Sequence, residues 1–143
     1  MSITLVQLGV KCDSLIHAQV QHGAHVFAAL VNGSQENLEP LLGHQFPVEI
    51  SFEKVANWRE LSEFQDEDSC IKTDAIIQDA VVVRGRVHNV LPIDSASSVI
   101  DIYLQTGQEF IAIESNELGG FIPKIGTGLE IHVQGLCFYP TNI

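Results

Sequence analysis

Positive charge is scarce in this chain: seven lysines and arginines stand against 18 acids, a formal net charge of −11 over 143 residues. Affinity for nucleic acid rests largely on Lys and Arg displacing counterions from phosphates. So acidic a chain is repelled by a phosphate backbone at long range and drawn toward basic partners. Long apolar runs are missing too. No stretch approaches the roughly 18 residues that a membrane-spanning helix needs. The opening "MSITLVQLGV" has no cationic segment ahead of its apolar residues, which argues against a secretory leader. The cysteines are Cys12, Cys70 and Cys137, odd in number and without CxxC spacing. That pattern points away from a disulfide framework and from a zinc site, and toward idle thiols in a reducing cytoplasm. A Gly-rich phosphate loop, a GxSxG elbow and an HExxH helix are also lacking. The expectation is a cytoplasmic, non-catalytic protein with no cofactor.

What the chain does have is an apolar fraction of 45%, enough for a core, and an echo of itself. "SLIHAQVQHG" at Ser14–Gly23 is answered by "SVIDIYLQTG" at Ser98–Gly107. Both alternate with period two, the pattern of half-buried strands, and both reach a glycine. His22-Gly23 and Thr106-Gly107 read as two-residue hairpin loops, where glycine supplies a positive φ. That register sets Ala18 opposite Phe27 and Ile16 opposite Ala29. In the second copy it sets Ile102 opposite Ile111 and Ile100 opposite Ile113. The echo continues in "PLLGHQFPVEI" at Pro40–Ile50 and "PKIGTGLEIHV" at Pro123–Val133. "NGSQENLE" and "NELGGFI" read as loop or short helix. Ahead of the second hairpin runs "AVVVRGRVHNVLPI", with Gly85 where a barrel strand would bend or bulge; "MSITLVQLGV" holds the corresponding place in the first half.

The second half resembles an OB-fold through "VVVRGRV" at Val81–Val87, its hairpin, and "IGTGLEIHVQG" at Ile125–Gly135. The fold expected is all-β: two tandem OB-like β-barrels packed together, arising by internal duplication. The first repeat would span 1–56, an acidic linker 57–79 and the second repeat 80–143. In the linker, Trp58, Leu61 and Phe64 recur at threes, the stripe of a short helix. The linker also holds seven acids against two bases.

The OB resemblance implies ligands on the outer face of the second and third strands. In the second half that face would hold Tyr103 opposite Phe110, flanked by Arg84 and Arg86. In the first half it would hold Leu15, His17, Gln19, Val26 and Leu30. Rings there could stack bases, yet Asp101, Glu109 and Glu114 share the hairpin, so nucleic acid is disfavoured. "HGAH" at His22–His25 offers no third converging ligand, and zinc needs three or four; no metal site is expected. The reading favoured by charge is a docking surface for a basic protein built from Glu60, Glu63, Asp66, Glu67 and Asp68. In size and charge the chain is similar to the acidic immunity proteins that neutralise basic nuclease toxins. The alternatives are an OB-type oligonucleotide or small-ligand module using Arg84, Arg86, Tyr103 and Phe110, and a subunit that only assembles with itself.

Overall fold

The computed structural model describes residues 1–92 and 98–141. Residues 93–97 and 142–143 of the expected second repeat lie outside the described residues. The alternating segments form strands throughout: β1 (Ser2–Cys12), β2 (Leu15–His22), β3 (His25–Asn32), β4 (Gln45–Ser51), β5 (Lys54–Leu61), β6 (Cys70–Thr73), β7 (Ala80–Pro92), β8 (Ile100–Thr106), β9 (Glu109–Glu114), β10 (Gly128–Gln134) and β11 (Cys137–Pro140). Helix is confined to short pieces. One is α1 (Gln35–Leu38), begun by Ser34, whose hydroxyl accepts the Asn37 N–H. Another is a 3-10 turn at Ser115–Leu118.

Five strands close into a barrel in the order β1-β2-β3-β11-β4. The others make a six-stranded sheet, β5-β10-β7-β8-β9 with β6 also on β7. The last strand of each half therefore leaves its own sheet. β11 enters the barrel, antiparallel to β4 (Phe138 opposite Ile50) and parallel to β3 (Cys137 opposite Leu30). β5 enters the second sheet, antiparallel to β10 with Ile131 opposite Trp58. The expected divisions at 56 and 79 are crossed by this exchange. Pairing across the chain recurs in detail. β1 slips against β2 between Leu5 and Gln7, and β7 slips against β8 between Val87 and Asn89.

All-β architecture and an OB-like barrel are present, but only the first sheet closes. In the second, β9 and β5 form no ladder among the described residues; Trp58 instead stacks on Phe121, ring centroids 5.0 Å apart. Other expectations need correction. The linker helix is absent: Trp58 and Leu61 lie on β5, because pairing with β10 outweighs the local three-residue period. Only Asp66–Asp68 forms a helical turn there, of the 3-10 type. Both hairpins are shifted by two residues. Val20 faces Phe27 and Leu104 faces Ile111, with His22 opposite His25 and Thr106 opposite Glu109. The loops are thus Gly23-Ala24 and Gly107-Gln108, with φ of 61° and 66° at the glycines, the first central position that a II′ turn reserves for glycine. An even shift leaves the inward faces unchanged. Gly85 is no bulge. A Cβ there would stand 2.4 Å from the Gln105 carbonyl oxygen, so glycine permits close backbone approach.

The inward residues of both sheets form one apolar core, from Ile3, Val20 and Phe27 through Val83, Leu104 and Ile131. Phe138 carries the exchange into that core: it is fully buried and lies 6.2 Å from the Phe27 ring. Phe138→Ala is expected to destabilise the fold by about 3–5 kcal/mol, read from urea unfolding. A loss below 1 kcal/mol would mean that β11 does not close the barrel.

Candidate functional site

The two connections that carry the exchanged strands, Ser51 to Lys54 and Gln134 to Cys137, pass each other between the sheets. A cleft of about 600 Å³ opens beside them. One wall is the outer face of β2 and β3, with His17, Ala28 and Leu30. The facing wall is the turn between β6 and β7, with Ile77, Gln78 and Asp79. Glu53, Lys54 and Gln134 border it where the connections cross.

The turn wall is firmly held. The Asp74 N–H donates to the Ala80 carbonyl at 3.0 Å. The Asp74 carboxylate accepts the N–H groups of Ile76 and Ile77 at 2.8 and 3.0 Å through one oxygen. The Gln134 amide donates to the Gln78 carbonyl at 3.1 Å. Asp79 then turns through φ 57° into β7, a left-handed conformation that aspartate tolerates better than most residues. On the other side of the cleft Gly135 has φ 72°, and a Cβ there would meet the Glu53 side chain at 2.4 Å. Glycine is what lets Glu53 lie across the crossing.

Behind the turn wall runs a chain of charges. The second oxygen of Asp74 contacts Nδ1 of His132, and Nε2 of His132 lies 2.9 Å from Glu130. A neutral imidazole has one N–H; an imidazolium has two. With a carboxylate at each nitrogen, the geometry selects the imidazolium. Burial alone would lower the His132 pKa, but the hydrogen bonds to Asp74 and Glu130 raise it above the ordinary value. Glu130 is bridged across three strands by Arg59 of β5 at 2.8 Å and Arg84 of β7 at 2.7 Å. The Arg59 hydrogen bond, against burial and with help from His132 and Arg84, holds its carboxyl at about 2. Burial alone would raise the Asp74 pKa; its bonds to His132, Ile77 and Ile76 bring it below the usual range.

The residues singled out in sequence fall elsewhere. Arg84 is tied to Glu130. Arg86 donates to Asp66 at 2.9 Å and to the carbonyls of Gly126 and Phe64. Tyr103 faces Ala112, while Phe110 faces Gln105 and packs edge-on against His88, centroids 5.0 Å apart; the expected Tyr103–Phe110 pair is diagonal. Among the linker acids, Asp66 pairs with Arg86 and Asp68 accepts the Gln65 N–H at 3.1 Å. Glu60 borders a different hollow, lined also by Phe64 and Arg86; Glu63 and Glu67 are exposed. His22 and His25 stand opposite each other at the hairpin end. The sequence reading did place His17 and Leu30 on the first half's outer face. It missed Glu53, Asp74, Asp79, Glu130 and His132. The alternation of Glu130, His132 and Gln134 against Leu129, Ile131 and Val133 was the readable signal for part of that set.

Strand order and cleft together define an OB-like β-barrel protein with a hollow at the seam of its two sheets. No family model matches the chain, and no curated protein matches it. Among solved structures it is similar to the cytoplasmic molybdate-binding protein ModG, determined with molybdate bound, at a TM-score of 0.53 and 15% identity, over 95% of this chain and 92% of that one. At that identity the likeness is one of fold.

The charge chain makes stability depend on pH from both sides. The raised His132 pKa contributes stability fully below the ordinary imidazole value, lost as pH rises through the folded value. The lowered carboxyls of Glu130 and Asp74 contribute above their ordinary range, lost as pH falls, for Glu130 toward about 2. Urea midpoints are therefore expected to drop between neutral and alkaline pH, and to drop less in His132→Gln. Identical slopes in the two proteins would show that the imidazolium does not contribute.

Proposed function

We propose that this chain is a non-catalytic, cytoplasmic small-ligand-binding module of the OB-like class, with the seam cleft as its site. The observation that carries the reading is the placement of the outer face of β2 and β3. This is the surface on which OB-folds commonly take ligands, and here it forms one wall of a cleft of about 600 Å³. Such a volume lies in the range of small-molecule sites, roughly 300–1,000 Å³. The likeness in fold to ModG, itself a molybdate-binding protein, supports a small ligand over a protein partner. The reading of Glu60, Glu63, Asp66, Glu67 and Asp68 as a dock for a basic protein has less support, since Asp66 and Asp68 are engaged within the chain. Three free cysteines support the compartment. The two halves are read as copies of one ancestral barrel strand set; what supports this is the same slip at equivalent points of β1 and β7, and the mutual exchange of β5 and β11.

The test is NMR titration of the isotope-labelled chain with a fragment library. Fragments that bind are expected to shift His17, Ala28, Gln78 and Gln134, and Ala28→Phe, which fills the cleft, is expected to weaken them by tenfold or so, about 1.4 kcal/mol. Shifts confined to Tyr103 and Phe110, or fragments indifferent to Ala28→Phe, would move the site elsewhere.

A further inference from the structure

The cleft has an electrostatic sign of its own. All three arginines of the chain donate to carboxylates away from it: Arg59 and Arg84 to Glu130, Arg86 to Asp66. Lys54 is the one lysine or arginine in its lining. Of its carboxylates, Asp74 is engaged by His132 and by two backbone N–H groups. Glu53 and Asp79 are exposed at the rim and take part in no ion pair among the described residues. Between these rims lies an apolar floor that includes Ala29, Ala80, Val81 and Leu136, all buried.

Such a lining does not suit a tetrahedral oxyanion. Oxyanion recognition relies on converging N–H or cationic donors; here one ammonium and the neutral donors of His17, Thr73 and Gln78 stand beside two open carboxylates. A charged group brought close to like charges and stripped of water is strongly disfavoured. A volume of about 600 Å³ with an apolar floor also exceeds what a five-atom anion can fill. An organic amine fits these features: its ammonium has an open carboxylate on either rim, Glu53 or Asp79, its apolar body covers the floor, and a field of net charge −11 draws it in.

We infer, resting on the seam cleft being a ligand site, that the ligand class is a small organic amine bound as its ammonium. Phenethylammonium, the uncharged 2-phenylethanol and sodium molybdate serve as probes in NMR titrations of the full chain at neutral pH and low salt. Phenethylammonium is expected to shift cleft residues and to bind up to about fivefold tighter than 2-phenylethanol, as an exposed ion pair would give. In Glu53→Gln and Asp79→Asn that preference should shrink, Asp79→Asn keeping its backbone geometry because asparagine also accepts the left-handed region. Molybdate shifting the cleft while the amine does not would overturn the inference and leave the ligand-site reading intact. Equal affinity for the amine and the alcohol would overturn it in the same way. No probe shifting the cleft, with a broad fragment library also silent there, would overturn both.

Discussion

Backbone N–H and C=O groups along the edge of a curled sheet must find a strand to pair with, and here each sheet finds it in the other half of the chain. Unpaired backbone groups are costly when buried, and an open edge invites pairing with a second molecule. β4 would present such an edge inside the barrel if β11 did not lie against it, and β10 would do so if β5 did not. Two β units of roughly 60 residues would be marginal if separate, because a unit of that size buries only about 60% of its unfolded surface. Mutual exchange joins them through backbone hydrogen bonds as well as through apolar contact. The core follows from this: Phe138 is delivered from the far end of the sequence to meet Phe27.

The two exchanged strands are held differently. β11 buries Cys137 and Phe138 and pairs on both sides. β5 is an edge strand with no buried residue of its own. Its partial apolar anchor is Trp58, stacked on Phe121. Its polar anchor is Arg59, which reaches Glu130 on the neighbouring strand. One exposed ion pair adds little, about 0–1 kcal/mol. Here, however, Glu130 is itself buried and takes hydrogen bonds from Arg59, Arg84 and His132. A buried carboxylate without such donors would be severely penalised. The network therefore sets register: Arg59, Glu130 and Arg84 stand side by side only when β5, β10 and β7 are aligned as they are.

Much of this was legible. Period-two alternation located the hairpin strands, β4 and β10. The parity of the faces survived even where the hairpin register was off by two residues, because glycine opens the loop at Gly23 and Gly107 rather than closing it. What could not be read was long range. Trp58, Leu61 and Phe64 form a helical period in the sequence, and only the docking of β5 on β10 makes a strand of the first two. Phe64 instead lies beyond the strand, buried beneath Arg86. Arg84 and Arg86 looked available for a ligand because their acceptors, Glu130 and Asp66, are distant in the chain. The cleft was invisible for the same reason: His17, Lys54, Asp79 and Gln134 meet only because the connections cross.

A site at a crossing has a thermodynamic consequence that a pocket inside one barrel would lack. Its walls come from β2 and β3 of the barrel and from the β6–β7 turn of the second sheet, so a molecule bound there would touch both. Anything that binds the folded state alone stabilises it by RT ln(1 + [L]/Kd), about 2.7 kcal/mol at a hundredfold excess over Kd. At this seam the added stability falls on the contact between sheets, where the strand exchange is also made. The turn wall is positioned by Asp74, Asp74 by His132, and His132 by the carboxylate that aligns β5. Cleft and exchanged strand are thus linked through an unbroken series of hydrogen bonds, and the geometry of one is a condition on the geometry of the other.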